Sequence, residues 1–175
     1  MSPEEKNGGP SHTIAVLVEN KFGVLAKVAS LFSARGYNID SLSVGVTQDP
    51  TVSRITLVTR GDERVLEQIR KQLSKLIDTI KVMDMVKEET VQREMMLVKV
   101  SAPRRERAEI FQIVEVFRAR IVDLSAETLT IEITGDDGKI AAFLELLAPF
   151  GVKEIARTGK AALSRGPRTL KSVKS

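Results

Sequence analysis

Cysteine and tryptophan are missing from this 175-residue sequence, and tyrosine and histidine occur once each. Each scarcity removes a class of chemistry. Without Cys there is no disulfide and no thiolate for a zinc or iron–sulfur centre, and His12 alone cannot form a histidine ligand cluster. With six Phe and one Tyr, the interior is left to branched aliphatic residues, which suit strands and helix stripes alike. No apolar run approaches the roughly 18 residues that read as a membrane span. Residues 1–10, opening MSPEEKNGGP, have no apolar segment and read as a disordered arm rather than a signal peptide. The expected setting is a soluble, reducing compartment, the cytoplasm; the plastid stroma is the alternative if a transit peptide has been removed.

The net charge of +4 comes from 27 Lys and Arg against 23 Asp and Glu, and its position matters more than its sum. Lys160, Arg165, Arg168, Lys171 and Lys174 lie after Thr158 with no acidic residue among them. The body before this tail is therefore close to neutral and offers no polyanion surface.

Hydrophobic periodicity divides the body into two similar halves. HTIAVLV reads as a strand, and Val24, Leu25, Val28, Leu31 and Phe32 then recur at helical spacing up to Arg35, with Gly36 as the stop. NIDSLSVGV and SRITLVT read as a strand pair around the turn formers TQDPT. Leu66, Ile69, Leu73 and Leu76 mark a second helix after Gly61-Asp62, and IDTIKVMDMV closes the unit as a strand. The second half repeats the order: QREMMLVKV, a helix over ERAEIFQIVEVFRA with Ile110, Ile113, Val114 and Phe117 inward, IVDLS, TLTIEIT, a helix, and VKEIAR. A shift of 74 places Gly61-Asp62 on Gly135-Asp136, Leu66 on Ile140, Ile69 on Phe143, Leu73 on Leu147 and Leu76 on Phe150, the mark of one fold used twice. The expected class is α+β, with two tandem ferredoxin-like βαββαβ domains over residues 11–87 and 92–158, a charged linker between them and a basic tail over 159–175. Both helices of such a domain lie on one face of its sheet, so the other face and the edges require cover, for which homodimerisation is the expected source.

The most informative stretch is the first strand-to-helix turn. Asn20 is a candidate helix N-cap, and the open N–H groups and positive dipole end of a first helical turn suit a carboxylate. Gly23, lacking Cβ, leaves room for that carboxylate to approach the main chain. The plainer alternative is that Asn20 only caps and Gly23 only turns the chain. A second constellation, Gly36-Tyr37-Asn38-Ile39-Asp40, follows the helix. Asn38 carries both donor and acceptor for the backbone of a bound amino acid, and Ile39 begins an edge strand. Two copies paired along that edge would set Asn38 and Ile39 of one against the helix-start loop of the other.

Other features carry less. His12 reads as a structural or solvent-facing strand residue. The Arg- and Glu-rich stretch 103–109 reads as a solvated first helical turn. Gly135-Asp136-Asp137-Gly138 invites a metal, but its counterpart Gly61-Asp62-Glu63-Arg64 makes acidic helix initiation the better explanation. The basic tail reads as a disordered, solubilising end. No Ser/His/Asp, Cys/His, paired-carboxylate or phosphate-loop pattern is evident, so the chain is expected not to be an enzyme. RNA binding on a ferredoxin-like sheet needs exposed aromatics, and HTIAVLV, SRITLVT, REMMLVKV and TLTIEIT contain none; neither a nucleic-acid nor a membrane partner is expected.

The run VLVENKFGVL through IDTIKV, with LFSARGYNIDSL, DPTVSRIT and REMMLVKV, resembles the ACT domain and following segment of acetolactate synthase regulatory (small) subunits. FRARIVD, TGDDGKIAAFL and ARTGKAALSRG extend the likeness across nearly the whole chain. The resemblance implies a non-catalytic subunit that binds and activates a separate catalytic (large) subunit in branched-chain amino acid biosynthesis. It implies feedback inhibition by valine, or by leucine or isoleucine, bound where two ACT domains of a homodimer meet. Thiamine diphosphate, Mg2+ and FAD then belong to the catalytic partner, and no cofactor is expected here. The effector residues carried over are Asn20, Gly23, Val24, Leu25, Asn38 and Ile39; Lys21 and Phe22 depart from the smaller or acidic residues of related bacterial subunits. A free-standing amino-acid-binding ACT module or a nucleic-acid-binding regulator is the alternative.

Overall fold

The computed structural model describes residues 9–85 and 89–170. The chain divides into two compact units, residues 1–91 with 160–175, and residues 92–159.

The first unit is built from β1 (Ser11–Glu19), α1 (Val24–Arg35), β2 (Ile39–Val46), β3 (Val52–Arg60), α2 (Glu63–Ser74) and β4 (Thr79–Asp84). Its sheet runs β2-β3-β1-β4 with every pairing antiparallel, the ferredoxin-like arrangement. Alternation along β1 sends Ile14, Val16 and Val18 to the helical face. There they pack with Ile55 and Leu57 of β3, Val28 and Phe32 of α1, and Leu66, Ile69 and Leu73 of α2. Each aliphatic side chain so buried contributes about 1.5–3 kcal/mol. Tyr37 closes the layer: its ring meets Phe32 edge-on at 6.3 Å and its hydroxyl donates to Gln68 Oε1 at 2.8 Å.

The second unit repeats the plan with β5 (Thr90–Ser101), α3 (Arg107–Val116), β6 (Arg120–Leu124), β7 (Thr128–Gly135), α4 (Asp137–Leu147) and β8 (Val152–Arg157). The order β6-β7-β5-β8 matches that of the first unit strand for strand. Met96, Val98 and Val100 of β5 face Ile110 and Val114 of α3 and Ile140, Phe143 and Leu147 of α4. The 74-residue repeat has a common local cause. Asp62 Oδ1 accepts the Val65 N–H at 2.8 Å and Asp136 Oδ1 accepts the Lys139 N–H at 2.9 Å, so each aspartate caps its helix. The acidic turn at 135–138 is helix initiation, as its repeat partner indicated.

Three expectations are revised. The tail is not simply a disordered end: Ala161–Ser164 form β9. Ala162 packs on the open face of the first sheet against Ala15, Met83 and Met85, Arg54 Nη2 donates to the Ala162 carbonyl at 2.5 Å, and the Arg165 N–H donates to the Glu89 carbonyl at 2.8 Å. Burial lowers the pKa of the Arg54 guanidinium. Part of the sheet face assigned to a partner copy is thus covered by the chain's own end. The charged linker expected between the two domains lies partly outside the described residues, and from Thr90 onward the chain is already strand. The stretch 103–109 is not wholly solvated, because Arg107 Nε donates to the Ala102 carbonyl at 2.9 Å and its Nη2 donates to those of Ser125 and Ala126.

Of the N-terminal arm, residues 1–8 lie outside the described residues, and Pro10 O accepts the Gly61 N–H at 3.2 Å. His12 is buried, with Nε2 2.9 Å from the Gly61 carbonyl oxygen. Among the described residues no helix is long and apolar enough to cross a membrane.

Candidate functional site

The start of α1 differs from the starts of α2 and α4, where an aspartate side chain accepts a first-turn N–H. At α1 the N-cap is Gly23, among the described residues no side chain caps the helix, and no acidic residue stands in its first turn. Gly23 has φ 82°, a left-handed conformation that costs an L-residue roughly 1–2 kcal/mol, so backbone geometry alone calls for glycine here. A Cβ built at Gly23 would meet no atom within 4 Å. The helix start is open on that side: the Val24 N–H turns back to the Lys21 carbonyl at 3.5 Å, while the N–H groups that follow it have no side-chain cap among the described residues and the positive end of the dipole suits a carboxylate.

Asn20 has a different task from the capping role read from sequence. Its side-chain Nδ2 donates to the Pro50 carbonyl at 2.9 Å and its backbone N–H donates to the Thr51 carbonyl at 2.7 Å. Asn20 thereby ties the helix-start loop to the β2–β3 turn, thirty residues away. Val24 is buried under the loop, whereas Leu25 is 43% exposed and Phe22 wholly exposed.

At the other end of α1, Gly36 ends the helix in the left-handed conformation, its N–H donating to Ser33 O and the Tyr37 N–H to Phe32 O. Asn38 is exposed. Its carbonyl accepts the Thr59 hydroxyl at 2.7 Å, its Nδ2 donates to Asp40 Oδ1 at 2.7 Å, and Asp40 Oδ2 accepts from Arg60 Nε at 2.7 Å. Ile39 begins edge strand β2 and packs partly into the core.

The twelve residues of α1, at 1.5 Å rise each, place these two groups about 18 Å apart along the helix. One chain therefore does not bring Asn20, Gly23, Val24 and Leu25 together with Asn38 and Ile39. Two surface depressions lie elsewhere. One follows the charged face of α2. The other, of about 400 Å³, is lined in the second unit by Ile113, Val116, Phe117, Leu146, Phe150 and neighbours.

Two residues that the sequence reading missed stand beside the loop. Lys27 Nζ pairs with Asp78 Oδ2 at 2.5 Å, and the Asp78 carbonyl accepts the Glu19 N–H at 2.8 Å. Lys21 forms an ion pair with Glu19. That hydrogen bond and charge hold the Lys21 ammonium above its ordinary pKa, with a smaller pull from Asp78. The helical spacing of Lys27 from Gly23 was visible in sequence, whereas the pairing with Asp78 across 51 residues was not.

Comparison with known proteins covers both units. Residues 14–81 match the family described as the AHAS small subunit-like ACT domain, and residues 93–166 match the family described as small subunit of acetolactate synthase. A probable acetolactate synthase small subunit of Methanothermobacter thermautotrophicus is 56% identical over 161 residues, 91% of this chain and 96% of that one. The acetolactate synthase small subunit of Mycobacterium leprae is 50% identical over 167 residues, 95% of this chain and 99% of that one. The crystal structure of the small subunit from Thermotoga maritima superposes with a TM-score of 0.80 at 45% identity, covering 90% of this chain and 98% of that one.

Proposed function

This chain belongs to the acetolactate synthase small-subunit family, and from that premise we propose that it binds the catalytic subunit of the enzyme, raises its activity, and lowers it again when valine, or leucine or isoleucine, occupies a site at the α1 start. It acts as a homodimer in the cytoplasm. Thiamine diphosphate, Mg2+ and FAD are held by the catalytic partner, and this chain contributes binding and regulation rather than catalysis.

The observation that carries the reading is the bare start of α1 at one end of a free edge strand. Among the described residues β2 has a neighbour on one side only. Antiparallel pairing of two such edges about a twofold axis sets the Ile39 end of each strand beside the Val46 end of the other. That end carries the turn to which Asn20 is bonded. Pairing therefore closes the 18 Å gap: Asn38 and Ile39 of one copy meet Asn20, Gly23, Val24 and Leu25 of its partner, around an aliphatic side chain whose carboxylate faces the helix start. The site is incomplete without the second copy. An aliphatic pocket separates valine from leucine or isoleucine by only about 1–3 kcal/mol per methylene, so all three belong in the test.

Reconstitution of the chain with its catalytic subunit should show activation, and then inhibition by at least one of the three amino acids. Gly23→Asp should retain activation and lose inhibition, because a carboxylate at that place repels the ligand's own, while Asp tolerates the left-handed backbone better than most residues. Unchanged inhibition in Gly23→Asp removes this placement. Amino-acid binding without activation of any catalytic subunit would instead support the free-standing module.

A further inference from the structure

Four charged groups border the loop that opens α1: Glu19, Lys21, Lys27 and Asp78. Of these Asp78 is buried, at 8% exposure. Its backbone carbonyl holds the Glu19 N–H and so fixes the last residue of β1 at the loop's entry, while its carboxylate receives the Lys27 ammonium. Lys27 follows Gly23 by one helical turn, its own N–H donating to the Gly23 carbonyl at 3.1 Å. Helical side chains lean toward the N-terminus, which lays the Lys27 stem along the turn whose N–H groups are open. The same aspartate thus shapes the loop and carries a negative charge beside it.

A carboxylate at that place, left unneutralised, opposes the arrival of any other carboxylate. We propose that the Lys27–Asp78 pair is a neutralising latch: Asp78 positions the loop through Glu19, and Lys27 cancels its charge so that the start of α1 accepts an effector carboxylate. The inference rests on the amino-acid pocket proposed above and assigns Lys27 and Asp78 to it as positioning residues. Glu19 and Lys21 form a second balanced pair next to it, so the charged frame of the loop is neutral as a whole.

Calorimetric titration of the full-length chain with valine, leucine and isoleucine tests it. Lys27→Met should raise the dissociation constant of the best effector up to about tenfold, the upper part of the range for a partly buried charge near a helix terminus. Lys27→Met/Asp78→Asn, which removes both charges, should return it to within about threefold of the unaltered chain, a coupling that lost packing would not produce. An unchanged constant in Lys27→Met, or a double variant no better than the single, overturns the latch and leaves the pocket standing. Absence of binding by the unaltered chain removes pocket and latch together. Should Lys27→Met fail to fold, Lys27→Arg and Lys27→Gln decide the same point: binding kept by Arg and weakened about tenfold by Gln supports neutralisation, and equal constants for the two overturn it.

Discussion

The helix after the first strand of each unit begins in the same place in the βαββαβ order and without a side-chain cap, but its loop is tied differently. In the first unit, α1 starts bare at Gly23, with Asn20 turned away toward the β2–β3 turn. In the second, the corresponding loop is closed by Arg107, whose guanidinium holds the carbonyls of Ala102, Ser125 and Ala126. Both devices join a helix start to the following hairpin turn. The asparagine does so from the strand side, whereas the arginine does so from within the first helical turn. Among the described residues neither helix start has a side-chain cap; the first has no acidic residue in its first turn whereas the second has Glu109, so the first is the better disposed to an anion. The other helix start of each unit, capped by Asp62 or Asp136, did not diverge.

Breaking the closed side should give the largest effect. Arg107→Ala leaves three carbonyls without their charged donor, and hydrogen bonds to charged groups contribute about 1.5–3 kcal/mol each before solvent compensates. A loss of about 2–3 kcal/mol in the urea unfolding of the second unit is expected, with effector affinity unaltered; an accompanying loss of effector binding would show that the two loops are not independent. Gly23→Ala sharpens the open side. It should cost about 1–2 kcal/mol through backbone strain, since a Cβ there meets nothing, and a much larger loss would reveal a contact at that position. The smallest effect is expected from the shared caps. Asp62→Ala and Asp136→Ala should each cost about 1 kcal/mol and agree within a few tenths, and a clear inequality in chemical denaturation would break the repeat at its best-matched point.

Much of this organisation was legible in the residues. Alternation in HTIAVLV and helical spacing from Val24 to Phe32 decided which side chains enter the first core, because burial follows the period of the backbone. The 74-residue offset carried the second unit, down to the aspartate caps. Asn20 misled because capping is a local pattern, and its bond to Pro50 depends on where the β2–β3 turn lies in space. The tail misled because its charge suggested solvent. The short apolar run Ala161-Ala-Leu163 between Gly159 and Gly166 was the available sign of a strand, though nothing in it says which sheet face it covers. Of the six candidate effector residues, the sequence singled out four as a loop and two as a strand start, and their separation by the length of α1 is what requires a second copy.

Composition, periodicity and repetition by themselves determined that this chain is two ferredoxin-like units with aliphatic cores and a glycine at the first helix start, since those properties depend on each residue and its near neighbours. Only the tertiary structure decided that Asn20 faces a turn, that Arg107 seals the second loop, that Asp78 meets Lys27 and that the tail returns to the first sheet. Each of those is a contact between residues far apart in the chain, and its geometry exists only once the strands between them have paired.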